Sequence, residues 1–374
     1  MTRLKNADSL AICFLSMAAV LVFSLLPFLS GVMANEFDLP EQDIGLIALA
    51  YFLPYAFVTL FAPLWISTAS WPQLKSLGLL LMILGVITLS LTTSFMAACL
   101  GLVVIALGAG IIFPLVTLIA ADMPDIDRIF ALKLATEQLV PAGLLIIFVI
   151  ALQANVSLMM LGMCLLSLIA VVWWFANALP TEQMLQLDAE NKVSSPVVSS
   201  TLLSLTALSI NFAGFAGLWA FFERIGNSQG FSAEFTTTWL SVGLVTGGVG
   251  SLLGAASSGK VAREKVIVLS TSFATATALV LTGEVTELVY ALSLTALPMF
   301  YMASVGFLMS SIAESDKTQR LLTLIPFSLA VGAALGPVIF AELANQRNIA
   351  SITMATMIAV GALAILFFER KLRV

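Results

Sequence analysis

The chain has 374 residues, 60% hydrophobic and 10% charged, with a formal net charge of −5. A soluble domain carries roughly 25% charged residues, so this composition excludes one. The long continuous apolar runs exclude a β-barrel, whose strands alternate over ~10 residues. There is no histidine, which removes the commonest metal ligand and catalytic base and leaves carboxylates for any proton chemistry.

Twelve apolar runs are long enough to cross a bilayer as helices, for which about 20 residues suffice. They fall at 10–35, 43–66, 74–95, 97–121, 128–152, 157–179, 200–225, 234–257, 265–282, 285–312, 319–344 and 349–368. Arg3 and Lys5 before the first run, and Val32-Met33-Ala34 at its end, imitate a signal peptide. The run is far longer than a ~7–15-residue signal core, so it is a membrane helix. The loop after it carries Glu36, Asp38, Glu41 and Asp43, a pattern expected of solvated loop acids.

Run 2 holds Tyr51, Pro54, Tyr55 and Thr59. Tyr51 and Tyr55 share a helix face, either lining a cavity or packing. Cys13, Cys99 and Cys164 all lie inside runs, as packed thiols do. Asp122, Asp125 and Asp127 precede run 5 without metal-ligand spacing and are expected to pair with Arg128 or nearby basic groups.

Run 5 carries the strongest local signal, Lys133-Leu134-Ala135-Thr136-Glu137-Gln138, followed by Pro141. Glu137 lies roughly 13 Å along a helix that starts near Arg128, and Lys133 and Glu137 share a face. Charges inside a membrane helix face protein or a water-filled cavity. The spacing fits a proton-releasing pair and a static ion pair equally. Pro180 to Val198 is the one long polar connection, and it divides the chain into residues 1–179 and 199–374.

Run 7 has Asn211 near its middle and Trp219, Phe221, Phe222, Glu223 and Arg224 toward its outer end. Asn211 can bind a solute or hydrogen-bond a neighbouring helix. Run 8 has Gly243, Gly247, Gly250 and Gly254 near one face, the pattern of close helix packing. Run 10 has Tyr301 after Pro298, and run 11 has Pro337 in Gly332-Ala333-Ala334-Leu335-Gly336-Pro337.

Basic residues fall in alternate gaps. One side holds fourteen, from Arg3 and Lys5 through Lys133, Lys260, Arg263 and Arg320 to Arg373; the other holds Arg224 and Arg347. Basic residues in short loops stay cytoplasmic, so both termini are predicted inside, in a cytoplasmic membrane of the bacterial inner-membrane kind. An offset of 192 residues pairs Leu39-Pro40-Glu41-Gln42 with Phe231-Ser232-Ala233-Glu234, Arg128 with Arg320, and Ala62 with Gly254. The halves therefore read as repeats.

Twelve helices as six plus six, with a central cytoplasmic connection, resemble the major facilitator superfamily. That family's signature after helices 2 and 8 is Gly, three residues, Asp, then a basic cluster. Here Gly254 is followed by Ser258 in place of Asp, then Lys260, Arg263 and Lys265; after run 2, Ala62-Pro63-Leu64-Trp65-Ile66-Ser67-Thr68 lacks the signature. The drug-exporter features, an Arg in helix 4 and Gly-Pro in helix 5, are also missing.

The resemblance implies an all-α polytopic protein of two pseudo-symmetric six-helix bundles, 1–179 and 199–374, joined by a linker at 180–198. It implies a secondary transporter working by alternating access and not an enzyme. Few polar residues fall on helices 1, 4, 7 and 10, which line the family's path, so an amphipathic or aromatic solute is expected. Protons are the candidate coupling ion.

Lys133, Glu137, Gln138, Tyr51, Tyr55, Asn211, Trp219 and Tyr301 are the candidate solute or coupling residues. Arg128, Pro141, Glu223, Arg224, Gly254, Lys260, Arg263, Arg320 and Pro337 are the candidate gating or structural ones. No cofactor, metal or nucleic-acid partner is expected; the partners are the solute and the bilayer, and the expected state is a monomer. Proton-antiport efflux, a non-transporting sensor and a lipid-moving variant are the alternatives.

Overall fold

The computed structural model describes residues 6–39, 41–152, 157–177, 195–316, 319–343 and 346–373, and among them it is helical with no strand. Twelve long helices fall on the twelve predicted runs. They are α1 (Asn6–Glu36), α2 (Glu41–Leu60), α3 (Trp71–Leu91), α4 (Phe95–Ala121), α5 (Ile126–Leu152) and α6 (Leu158–Ala176), then α7 (Ser195–Ser228), α8 (Ala233–Ser257), α9 (Arg263–Val280), α10 (Glu287–Ser315), α11 (Ile325–Leu343) and α12 (Arg347–Arg373). One helical turn, Ala62–Trp65, follows α2, and a 3-10 turn, Leu321–Leu324, precedes α11.

Ten of these helices are long and apolar enough to cross a membrane. The other two depart for identifiable reasons. In α2 the stretch Leu46–Leu60 is apolar among the residues whose side chains are described, and α9 spends three of its eighteen residues on Arg263, Glu264 and Lys265. The chain is an integral, multi-pass membrane protein. The predicted linker at 180–198 lies mostly outside the described residues; α7 begins within it.

Helix starts follow from local chemistry. The hydroxyls of Ser157, Ser232 and Thr286 accept from the backbone N–H groups of Met160, Phe235 and Val289, opening α6, α8 and α10. A side-chain oxygen there satisfies a donor that the helix cannot. Glu36 adds a carboxylate at the start of α6, accepting from Leu158 N–H at 2.9 Å, where the helix dipole favours negative charge.

The chain forms two compact units. The first comprises Met1–Asp122 and Val140–Leu187, the second Met123–Leu139 and Asp188–Val374. Inside the first, α4 packs on α1, α2 and α3, α6 packs on α1 and α3, and α1 touches α2. Inside the second, α10 packs on α7, α8 and α9, α12 packs on α7 and α9, and α7 touches α8. Every one of these first-unit pairings recurs six helices later, and α8 begins 192 residues after α2. The repeat read from three short matches is thus a repeat of packing.

Glycines set the tightest approaches. A Cβ at Gly243 would meet the carbonyl oxygen of Leu294 at 2.7 Å, one at Gly254 that of Ala303 at 3.0 Å, and one at Gly250 would collide with Met299 O. The glycine face of α8 therefore lies backbone-to-backbone on α10. Hydrocarbon offers no hydrophobic driving force between helices, so such contact supplies the cohesion. Overpacking costs about 1–3 kcal/mol, so Gly250→Val should lower the thermal midpoint of the solubilised protein. Gly31→Ala, where nothing lies within 4 Å, should leave it unchanged or slightly higher in the same assay.

Candidate functional site

Helix α5 has its first half in the second unit and its remainder in the first, with the division after Leu139. Pro141 sits two residues beyond. Proline has no N–H to give to the carbonyl four residues back, and that carbonyl is Glu137's. The helix is thus weakened where it passes from one unit to the other.

The first half of α5 is held in the second unit by close packing and by charge. A Cβ at Gly306 of α10 would meet the Ala131 backbone at 3.0 Å, and Leu139 fills the space beside Gly248 of α8. Lys133 and Glu137 lie between these points, with Nζ 2.9 Å from Oε1 and side chains 0% and 6% exposed. Lys133 also stands 6.0 Å from the Phe130 ring centroid. Glu137 lies about 16 Å along the helix from Ile126. Gln138 is half-buried beside it.

At the end predicted to be cytoplasmic, a second polar cluster forms around Arg263, the first residue of α9. Its Nε lies 2.8 Å from Asp127 of α5; its two terminal nitrogens reach both oxygens of Glu314 on α10, at 2.6 and 2.7 Å, and one lies 3.4 Å from Glu369 on α12. The planar guanidinium suits this paired geometry, which a lysine would not reproduce. Ser310 donates to Asp127, and Arg370 pairs with Glu264 at 2.5 Å.

Ser258, which stands where the family signature has Asp, donates to Asp125 at 2.6 Å. Gly259 next to it has φ +70°, a left-handed conformation that glycine adopts without penalty and that turns the chain from α8 into α9. The acid is therefore on the α5 side of this contact and the hydroxyl on the loop side. Asp125 also accepts from the Arg128 backbone N–H at 3.1 Å, capping α5. The Arg128 side chain is exposed, as is that of Lys260. Arg320 precedes the turn into α11, and its carbonyl accepts from the Thr323 hydroxyl.

Asn211, fully buried on α7, uses both ends of its amide. Its Nδ2 donates to Ile358 O of α12 at 2.7 Å, and its Oδ1 accepts from the Tyr301 hydroxyl of α10 at 2.8 Å. Two residues predicted separately are one unit. The Tyr301 ring stacks on Phe215 at 4.2 Å and 2°, and Phe215 stacks on Trp219 at 5.9 Å. Along α7 from 211 to 219, only Phe212, Ala216 and Trp219 are not fully buried. They follow i, i+4, i+7 spacing and so form one accessible stripe.

In the first unit, Tyr51 and Tyr55 stack at 6.0 Å, both buried, with the Tyr51 hydroxyl 3.5 Å from Ala19 O. Glu223 and Arg224 are exposed, and the Arg224 guanidinium lies over the Phe221 ring at 5.1 Å. Arg347, the other basic residue predicted on the outer side, donates to Gly283 O at 2.6 Å. Pro337 lies inside α11. Among the described residues no group of three or more Cys, Asp or Glu is placed to hold a metal.

Phe215, Glu314, Glu369 and Ser310 escaped the sequence reading. The two glutamates lie just past the predicted cytoplasmic ends of their runs, and an orientation rule that counts only basic residues passes over them. Phe215 has the right spacing to Trp219 for a shared face, but phenylalanine in an apolar helix carries no distinguishing signal.

No family model matches the sequence, and comparison with curated proteins finds no match. Solved structures do match the fold. The E. coli fucose:proton symporter FucP has 16% identity and a TM-score of 0.77, over 96% of this chain and 98% of its own. The human organic anion transporter MFSD10 (TETRAN) has 15% identity and 0.78, over 96% and 99%. A bacterial homologue of the iron transporter ferroportin, in an outward-facing state, has 12% identity and 0.73, over 98% and 99%. The chain has the fold of major facilitator transporters along almost its whole length.

Removing one partner of a buried ion pair leaves an uncompensated charge, at about 3–5 kcal/mol. Lys133→Met and Glu137→Leu should each destabilise by about that much. The double substitution Lys133→Met/Glu137→Leu should recover most of the loss. Unfolding midpoints in nanodiscs close this cycle, and simple additivity would show that the two charges are not coupled.

Proposed function

We propose that the protein is a secondary active transporter that moves a small amphipathic or aromatic organic solute by alternating access, with protons as the coupling ion. The observation that carries this reading is the buried Lys133–Glu137 pair, set four residues before Pro141 on a helix divided between two compact units. Paired, the two charges neutralise each other away from water. When Glu137 takes a proton it becomes a neutral acid and Lys133 loses its counter-charge, so the pair's geometry is coupled to protonation. An intramembrane ionisable pair of this kind is the usual equipment of a proton pathway.

The solute reading is supported by the accessible stripe Phe212, Ala216 and Trp219, backed by Phe215 and Tyr301. Such a surface offers aromatic contact and few hydrogen bonds. In this reading Asn211 positions Tyr301, and Gln138 supplies a polar group near Glu137. Tyr51 and Tyr55 are proposed for the first unit's share of the path. Two proteins of the same fold are named for proton symport with fucose and for organic anions, which lends support to small-solute transport of this general kind.

Arg263, with Asp127, Glu314 and Glu369, is proposed as the inner gate. Separating α5 from α9 and α10 requires breaking the Arg263–Asp127 ion pair and the Ser310–Asp127 hydrogen bond, while Glu314 and Glu369 keep Arg263 among α9, α10 and α12. The bacterial inner membrane, with both termini inside, is the proposed setting, and a monomer the proposed state.

Thermal-shift screening of metabolites and drugs supplies a solute for the decisive test in proteoliposomes. Glu137→Gln should reduce gradient-driven uptake to background while counterflow exchange persists. Unchanged gradient-driven uptake would reject the coupling role. Binding without counterflow in the unsubstituted protein would identify a sensor instead of a transporter.

A further inference from the structure

A groove of about 280 Å³ runs between α9 and α12, half-open to the outside. Its walls are apolar, with Ile267, Leu279, Leu363 and Leu366, apart from three hydroxyls on α9: Thr271, Ser272 and Thr275. Around it Leu269, Phe273 and Phe367 are exposed, as side chains facing lipid are.

Two of these hydroxyls depart from the usual habit of membrane helices, as those of Ser251, Ser311 and Ser351 do elsewhere. Hydroxyls in membrane helices ordinarily bond back to the carbonyl three or four residues earlier. Thr277 does so on α9 itself, to Phe273 O. In the equivalent helix pair of the first unit, α3 and α6, Thr88 bonds to Leu84 O, Ser90 to Val86 O, and Ser167 to Met163 O. Thr271 and Thr275 do not. Both residues line the groove, their hydroxyl oxygens are buried without a hydrogen-bond partner, and Thr271 is only 6% exposed. The exposed Ser272 lies between them in sequence and lines the same groove. An unpaired hydroxyl surrounded by hydrocarbon is costly, so the groove suits an occupant with an apolar chain and acceptor oxygens.

The same face of α9 runs on to its inner end. Lys265, Val268, Ser272 and Thr275 follow i, i+3, i+7, i+10 spacing, and Lys265 is exposed and free of carboxylate partners among the described residues. It stands about 10 Å from Ser272 along the axis, within a long side chain's reach of a headgroup. Basic groups between helices at the inner face bind acidic lipid headgroups.

We propose that this groove is a site for an acidic diacyl glycerophospholipid. One acyl chain lies against Leu279 and Leu363, the ester carbonyls accept from Ser272, Thr271 and Thr275, and the phosphate sits on Lys265. The site is separate from the Lys133–Glu137 pair and does not depend on the solute.

The test uses delipidated full-length protein in detergent, read by native mass spectrometry and by thermal shift. The probes are diacyl phosphatidylglycerol, its ether-linked dialkyl analogue, which lacks the ester carbonyls, and diacyl phosphatidylcholine. The diacyl acidic lipid should bind and raise the midpoint. The ether analogue and the zwitterionic lipid should each need about fivefold more for half-effect. Ser272→Ala/Thr275→Val should remove the preference for ester over ether, and Lys265→Gln the preference for acidic over zwitterionic. Lys265 is a surface position, so that variant stays informative if the hydroxyl variant does not fold. Equal binding of all three lipids, or variants that keep both preferences, would overturn the proposal. A dimer mass lost on substituting the groove would also overturn it, by making a second copy the occupant.

Discussion

A charge cannot be left alone inside an apolar bundle, and much of this protein's architecture answers to that constraint. Lys133 and Glu137 are tolerable at their depth because they lie four residues apart on one helix and meet at 2.9 Å. Their desolvation is tolerated only while they stay paired. In the proposed reading, that ties the state of α5 to the protonation of one carboxylate. The packing around them, Gly306 against Ala131 and Gly248 against Leu139, holds the pair in place.

The two units repeat one plan, yet their chemistry differs. Contacts among α1, α2, α3, α4 and α6 recur six helices later, so the scaffold is symmetric in which helix touches which. The Arg263 cluster, the Asn211–Tyr301 bond and the Lys133–Glu137 pair all belong to the second unit, which takes in the first half of α5. The first unit offers stacked tyrosines and glycine-mediated contact, as between Gly85 and Gly101. A common frame with one apolar and one polar member lets bundle geometry and ion chemistry vary separately.

Helix number and placement were legible in the sequence, because a continuous apolar run is a strong signal and backbone polar groups in lipid force it to be helical. The Lys133–Glu137 pair was legible for the same reason, since charges stand out against such a background. The Arg263 cluster was only half visible. Its basic centre was marked by the loop signature, but Asp127, Glu314 and Glu369 are brought to it from three other helices, and no spacing in the sequence encodes that meeting. Asn211 and Tyr301 each stood out alone; their mutual bond is a tertiary fact. The change from the signature's Asp to Ser258 was legible in sequence, whereas its hydrogen bond to Asp125 on α5 was not.

The most direct measurement of the central claim is infrared difference spectroscopy of the protein in nanodiscs, titrated from about pH 9 to pH 4, across the range where carboxylates protonate. It would be run with and without solute, on the unsubstituted protein and on Glu137→Gln. The account predicts a protonated-carboxyl band that is absent from the variant and whose midpoint shifts when solute binds. Identical difference spectra for the two proteins at every pH, with and without solute, would show that Glu137 never exchanges its proton and would contradict the account.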